Sequence, residues 1–118
     1  MKLSFNKNEK LKSRKKIAAL FESGQTTVSY PVKMFCLTQE DSQPTQAAFS
    51  VPKRNFQKAV ERNRIKRQLK EAYRNHKSLV KTNNDSAFAL LFLYIGKDKV
   101  AYAEIEKAVV RLLQKLES

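Results

Sequence analysis

The sequence predicts a small fold of the α+β or α/β class, with helices packed on one face of a sheet. Three observations carry that expectation. Ile17, Leu20 and Phe21 recur at helical spacing, Ile65, Leu69, Ala72 and Tyr73 do so again, and FALLFLYI at 88–95 is apolar on both of its faces. The order is helix, two or three strands, helix, strand, helix. The 118 residues fit a single domain spanning 1–118. With 42% hydrophobic residues, a packed core is expected and global disorder is not.

Residues 1–12 (MKLSFNKNEKLK) are polar and basic and read as a partly ordered arm. A short amphipathic helix follows from Ser13 to Ser23, with Gly24 placed as its C-cap. Residues 27–38 read as one strand, with Val28, Tyr30, Val32, Met34 and Cys36 on one face. Its other face carries Ser29, Pro31, Lys33, Phe35 and Leu37. Pro31 lacks an N–H and argues against a fully paired central position nearby. A polar turn at 39–46 leads to a second strand at 47–51.

The segment from about Val60 to His76 is a helix with two neighbouring stripes. Ile65, Leu69, Ala72 and Tyr73 form the apolar one, while Arg62, Asn63, Lys66, Arg67, Lys70 and Arg74 form the wet, positive one. After a turn at 81–86, the doubly apolar run at 88–95 fits a strand in mid-sheet. Ile105, Ala108, Val109, Leu112, Leu113 and Leu116 close the chain with a helix over 103–116.

Charge narrows the function. There are 24 Lys and Arg against 11 Asp and Glu, a formal net charge of +13. Such an excess resists compaction unless a polyanion neutralises it, and nucleic acid is the commonest polyanion; an anionic membrane surface is the runner-up. The single cysteine, Cys36, lies in an apolar run and reads as a packed thiol, which points to a reducing cytoplasm. The N-terminus lacks a signal-peptide pattern, and no segment approaches the roughly 20 apolar residues of a membrane span. A soluble, cytoplasmic protein is expected.

Enzyme motifs are missing. One histidine and one cysteine cannot build a zinc site, and no Gly-rich phosphate loop, HExxH or GxSxG occurs. His76 ends an amphipathic helix with no carboxylate beside it in sequence. Glu104 and Glu106 begin a helix, where acidic side chains favour the positive end of the dipole. The dense signal is Phe49 to Arg74, where eleven of 26 positions are Lys, Arg or Asn and the only acidic residues are Glu61 and Glu71. Arginine forks onto phosphates and stacks on bases, and Asn63 adds a donor and an acceptor that charge neutralisation alone does not need. A DNA-binding helix is the competing reading, but no helix-turn-helix partner lies upstream, where AAFSV is strand-like. RNA fits a helix laid on a sheet with aromatic residues nearby. A ribosomal protein or assembly factor of similar fold is a further alternative.

Arg62-Asn63-Arg64-Ile65-Lys66-Arg67, followed by Leu69, Glu71, Tyr73 and Arg74, resembles the signature helix of bacterial ribonuclease P protein components. Phe49-Ser50-Val51, Lys53-Arg54 and Ala59-Val60 extend the likeness, as do Leu11 through Gly24 and the late strand with its closing helix. Two departures stand out. Asn55-Phe56-Gln57-Lys58 fills a stretch one residue longer than the family pattern, and Ile17 stands where the family often has an aromatic residue.

The resemblance implies an αβββαβα two-layer sandwich like domain 2 of ribosomal protein S5, with a left-handed βαβ crossover. It implies a subunit of an endoribonuclease that removes the 5′ leader of precursor tRNA, with catalysis and Mg²⁺ binding left to the RNA subunit and substrate. On that reading Arg62, Asn63, Arg64, Lys66, Arg67 and Lys70 contact the catalytic RNA. Ile17, Phe21, Phe35, Lys53 and Arg54 contact the leader, no side chain is catalytic, and the protein is monomeric. Phe35 packed under the terminal helix, and Phe21 packed in the core, remain the structural alternatives.

Overall fold

The computed structural model describes residues 10–39, 45–77 and 87–116. Its elements run α1 (Arg14–Ser23), β1 (Gln25–Ser29), β2 (Val32–Gln39), β3 (Gln46–Ser50), α2 (Ala59–His76), β4 (Ala87–Tyr94) and α3 (Tyr102–Gln114). This is the αβββαβα order. The strands form one mixed four-stranded sheet in the order β1-β2-β4-β3. The β1–β2 and β2–β4 pairs are antiparallel, and β3 runs parallel to β4. A parallel neighbour requires a crossover, which α2 supplies.

β4 lies between β2 and β3, as its two apolar faces require, and seven of its eight residues are buried. Its two faces serve two cores. Phe88, Leu90, Phe92 and Tyr94 join Ile65, Leu69, Ala72 and Tyr73 of α2 and Ile105, Val109, Leu112 and Leu113 of α3. Ala89 and Leu91 join Leu11, Leu20 and Phe35, with Ile17 and Leu93 packed alongside. Thus α2 and α3 make the layer on one face, while α1 crosses the other. The expectation of helices on one face holds for the two long helices and fails for α1.

Residues 27–38 are not one strand. The chain reverses at Tyr30-Pro31, a cis peptide bond, so that Ser29 pairs with Val32 and Val28 with Lys33. Directly paired residues share a face, so Val28 lies with Lys33 and Phe35 on the α1 side, not with Met34. The missing N–H of Pro31 is tolerated in the turn, and its carbonyl accepts from Ile95 N at 2.8 Å.

The first helix begins where Ser13 Oγ accepts from Lys16 N at 3.3 Å. Gly24 N donates to Leu20 O at 3.0 Å. Glycine suits this cap because of close approach: a Cβ there would come within 2.5 Å of Leu20 O. Before α1, Leu11 N donates to Ala47 O at 2.9 Å and its side chain is buried, which ties the end of the basic arm to β3. The rest of that arm (1–9), most of the 39–46 turn and the whole 81–86 turn lie outside the described residues.

Candidate nucleic-acid interface

Helix α2 buries Ile65, Leu69, Ala72 and Tyr73, as its apolar spacing predicts. The opposite surface leaves Asn63, Arg64, Lys66, Arg67 and Lys70 exposed. Both acidic residues of the stretch are engaged with cations: Glu61 Oε2 with Lys99 Nζ at 3.1 Å, and Glu71 with Arg74. The exposed stripe is therefore basic along its length, and a solvated ammonium or guanidinium row of one sign is suited to a phosphate backbone.

The Arg-Asn-Arg triple does not act as one unit. Arg62 is half-buried at the edge of the apolar stripe, and its Nη1 donates to Phe56 O at 2.9 Å and Gln57 O at 2.8 Å. Arg62 thus fastens the β3–α2 junction, the stretch where the chain departs from the family pattern. Within that junction Asn55 N donates to Pro52 O at 3.3 Å, and the Phe56 ring meets Tyr94 edge-on at 5.7 Å. Lys53 and Arg54 are exposed at the turn. They follow Ser50, whose register partner Leu93 also pairs with Lys33. Both basic residues therefore stand at the rim of the sheet, at the Lys33 end.

On the α1 face, the structure brings Phe21 and Phe35 together, with ring centroids 4.9 Å apart and planes tilted by 58°. Phe35 is only 6% exposed, beneath α1 and not beneath the terminal helix, whereas Phe21 is 51% exposed. Lys33 Nζ lies 5.1 Å from the Phe35 ring centroid, a cation–π distance. Ile17 packs half-buried against the same cluster. Phe21, Lys33 and the 50%-exposed Val28 therefore present an aromatic, cationic and apolar surface between α1 and β1–β2. Lys33 and Val28 are additions to the residues singled out from sequence. The hairpin that places Val28 there gave no separate sequence signal.

Other candidates resolve into packing. Burial pushes the Cys36 thiol up to about 11, which makes it a poor nucleophile. His76 Nε2 lies 3.0 Å from Glu106 Oε2, and the Tyr102 hydroxyl donates to the same oxygen at 3.5 Å. Glu106 thus bridges α2 and α3, where a dipole role at the helix start had been expected. Glu104 does sit in the first turn of α3. Among the described residues no group of three His, Cys, Asp or Glu side chains is placed to hold a metal ion, and the α2 carboxylates Glu61 and Glu71 are taken up by Lys99 and Arg74. These residues do not fit a dedicated Mg²⁺ site. No described helix is long and apolar enough to cross a membrane.

Comparison with known proteins places this geometry in a family. The family model described as Ribonuclease P matches residues 5–117. The ribonuclease P protein component of Chlorobium phaeobacteroides is 32% identical over 128 residues, covering 96% of this chain and 88% of that protein. The corresponding protein of Porphyromonas gingivalis is 28% identical, with 92% and 82% covered. Among solved structures, the RNase P protein from Thermotoga maritima superposes with a TM-score of 0.76 at 19% identity, covering 93% of this chain and 99% of that one. The Staphylococcus aureus RNase P protein gives 0.71 at 19%, covering 90% and 93%. With the fold and nearly the full length of the chain matched, the chain belongs to the ribonuclease P protein family.

Proposed function

We propose that the chain is the protein subunit of a ribonuclease P holoenzyme, working with a catalytic RNA to remove the 5′ leader of precursor tRNA. The observation that carries this reading is the placement of two unlike surfaces on opposite faces of one sheet. The α2 stripe is basic and polar, suited to a structured RNA. The α1 face offers an exposed ring beside a cation, suited to a single strand whose bases can stack.

Asn63, Arg64, Lys66, Arg67 and Lys70 serve the catalytic RNA, with Arg62 at the stripe's edge shaping the junction. Phe21 serves the leader as the stacking ring, with Phe35 and Ile17 supporting it and Lys53 and Arg54 at the rim meeting phosphates. The protein contributes binding and orientation and moves no proton. Mg²⁺ belongs to the RNA and the substrate, and the protein acts as a monomer.

The test separates the two surfaces. Arg64→Ala should weaken assembly with a bacterial ribonuclease P RNA while keeping the preference for precursor over mature tRNA. Phe21→Ala should leave assembly intact and reduce that preference by roughly five- to hundredfold, the range for one lost base–aromatic stack. If both variants weaken both readouts equally with the fold intact, the division of labour is wrong.

A further inference from the structure

Between α2 and the start of α3 lies an open depression of about 340 Å³ lined by Arg64, Arg67, Gln68, Glu71 and Tyr102. The four α2 residues fall at i, i+3, i+4 and i+7, so they form one continuous ridge facing the first residue of α3. The depression's volume is at the small end of ligand sites and has room for one nucleotide. It is also continuous with the basic stripe, because Arg64 and Arg67 belong to both.

The chemistry of the lining is specific. Tyr102 supplies a half-buried aromatic ring. Arg64 and Arg67 supply exposed guanidiniums that fork onto phosphate. Gln68 adds an amide that both donates and accepts, as a base edge requires. The ring is also held in place. Its hydroxyl donates to Glu106 Oε2 at 3.5 Å, and Glu106 is fixed by His76 at 3.0 Å. Glu71 is restrained in turn by Arg74 and by Asn75 Nδ2 at 3.4 Å. A stacking platform with restrained rotamers loses less entropy on binding than a free side chain.

We propose that this depression is a nucleotide pocket: an unpaired base of the catalytic RNA stacks on Tyr102, and its flanking phosphates lie against Arg64 and Arg67. This rests on the assignment of α2 to the RNA subunit and deepens it. An A-form duplex hides its base faces, so the π-face of Tyr102 calls for an unstacked nucleotide. The α2–α3 groove thereby selects RNA structure as well as charge.

The full chain is titrated with a bacterial ribonuclease P RNA at fixed salt, as wild type, Arg64→Ala, Tyr102→Leu and Tyr102→Phe. Tyr102→Leu should bind roughly tenfold more weakly, and Tyr102→Phe, which keeps the ring, within about twofold of wild type. If Arg64→Ala binds weakly while Tyr102→Leu binds as wild type, the pocket is empty in the complex and the proposal is overturned, with α2 still the RNA face. If Arg64→Ala also binds as wild type, the assignment of α2 itself falls, and the pocket with it. An equal loss in Tyr102→Phe and Tyr102→Leu overturns stacking, since the ring survives in one of them. Should Tyr102→Leu fail to fold, ultraviolet cross-linking of the wild-type complex decides. A nucleotide adduct on the peptide containing Tyr102 supports the pocket, and adducts confined to other peptides overturn it.

Discussion

Replacing Arg62 with alanine should cost stability as well as RNA affinity, and replacing Arg64 should cost affinity alone. Arg62 Nη1 donates to Phe56 O at 2.9 Å and Gln57 O at 2.8 Å, the first partly buried and the second exposed. Hydrogen bonds from a charged donor contribute about 1.5–3 kcal/mol each, less where water can replace the donor. The exposed carbonyl recovers a water partner in the variant, so the net loss is about 2 kcal/mol. In a domain of this size that lowers Tm by roughly 6–10 °C. Arg64 is exposed and away from the junction, so Arg64→Ala should hold stability within about 0.5 kcal/mol. Thermal melts followed by circular dichroism, in the absence of RNA, separate the two. If Arg62→Ala melts with the wild type, Arg62 does not fasten the junction, and the split of the Arg-Asn-Arg triple is refuted.

Three further outcomes are expected. RNA affinity should fall steeply with salt, with a log–log slope of roughly −0.7 to −0.9 per neutralised phosphate; a flat titration would exclude a phosphate-dominated interface. Phe35→Ala should destabilise the fold by about 3–5 kcal/mol, because the ring is only 6% exposed, whereas Phe21→Ala should cost about 1 kcal/mol or less; equal melting curves for the two would contradict the layering of the rings. Stability should decline in alkali. Burial raises the Cys36 thiol from 9.0 to about 11, so the folded state keeps a proton that the unfolded state loses. Burial raises Tyr94 and Tyr102 in the same direction. The Cys36 contribution is complete below pH about 9 and lost as pH rises towards about 11; a Cys36→Ala variant with an unchanged alkaline melting profile would remove this thiol from the account.

The readable parts of the fold were those with a period or an unbroken apolar run. Ile65, Leu69, Ala72 and Tyr73 show which side of α2 is buried, and a short run without polar positions fits a strand covered on both faces, as β4 is. The β1–β2 hairpin was hidden because a two-residue turn at Tyr30-Pro31 leaves the period-2 alternation looking continuous from Thr27 to Thr38. The position of α1 was hidden for a different reason. An apolar stripe shows which side of a helix is buried, not which face of the sheet receives it.

The candidate site divides in the same way. Exposed α2 cations follow from helical spacing, and the structure leaves them exposed. The engagement of Arg62 with the 56–57 carbonyls depends on the local path of the backbone, which residue types do not specify. His76 and Glu106 stand 30 residues apart, and only the packing of α2 on α3 joins them. Tyr102 looks like any residue opening an amphipathic helix until Arg64 and Arg67 are placed across from it.

Reconstitution decides the reading that the chain serves a catalytic RNA. The purified chain is added to a bacterial ribonuclease P RNA and precursor tRNA at a Mg²⁺ concentration too low for the RNA alone to act efficiently. Cleavage at the mature 5′ end should rise with added chain to a one-to-one plateau, and the chain without RNA should cleave nothing. An RNA-alone rate unchanged by the chain, or site-specific cleavage by the chain alone that survives nuclease treatment, would contradict it.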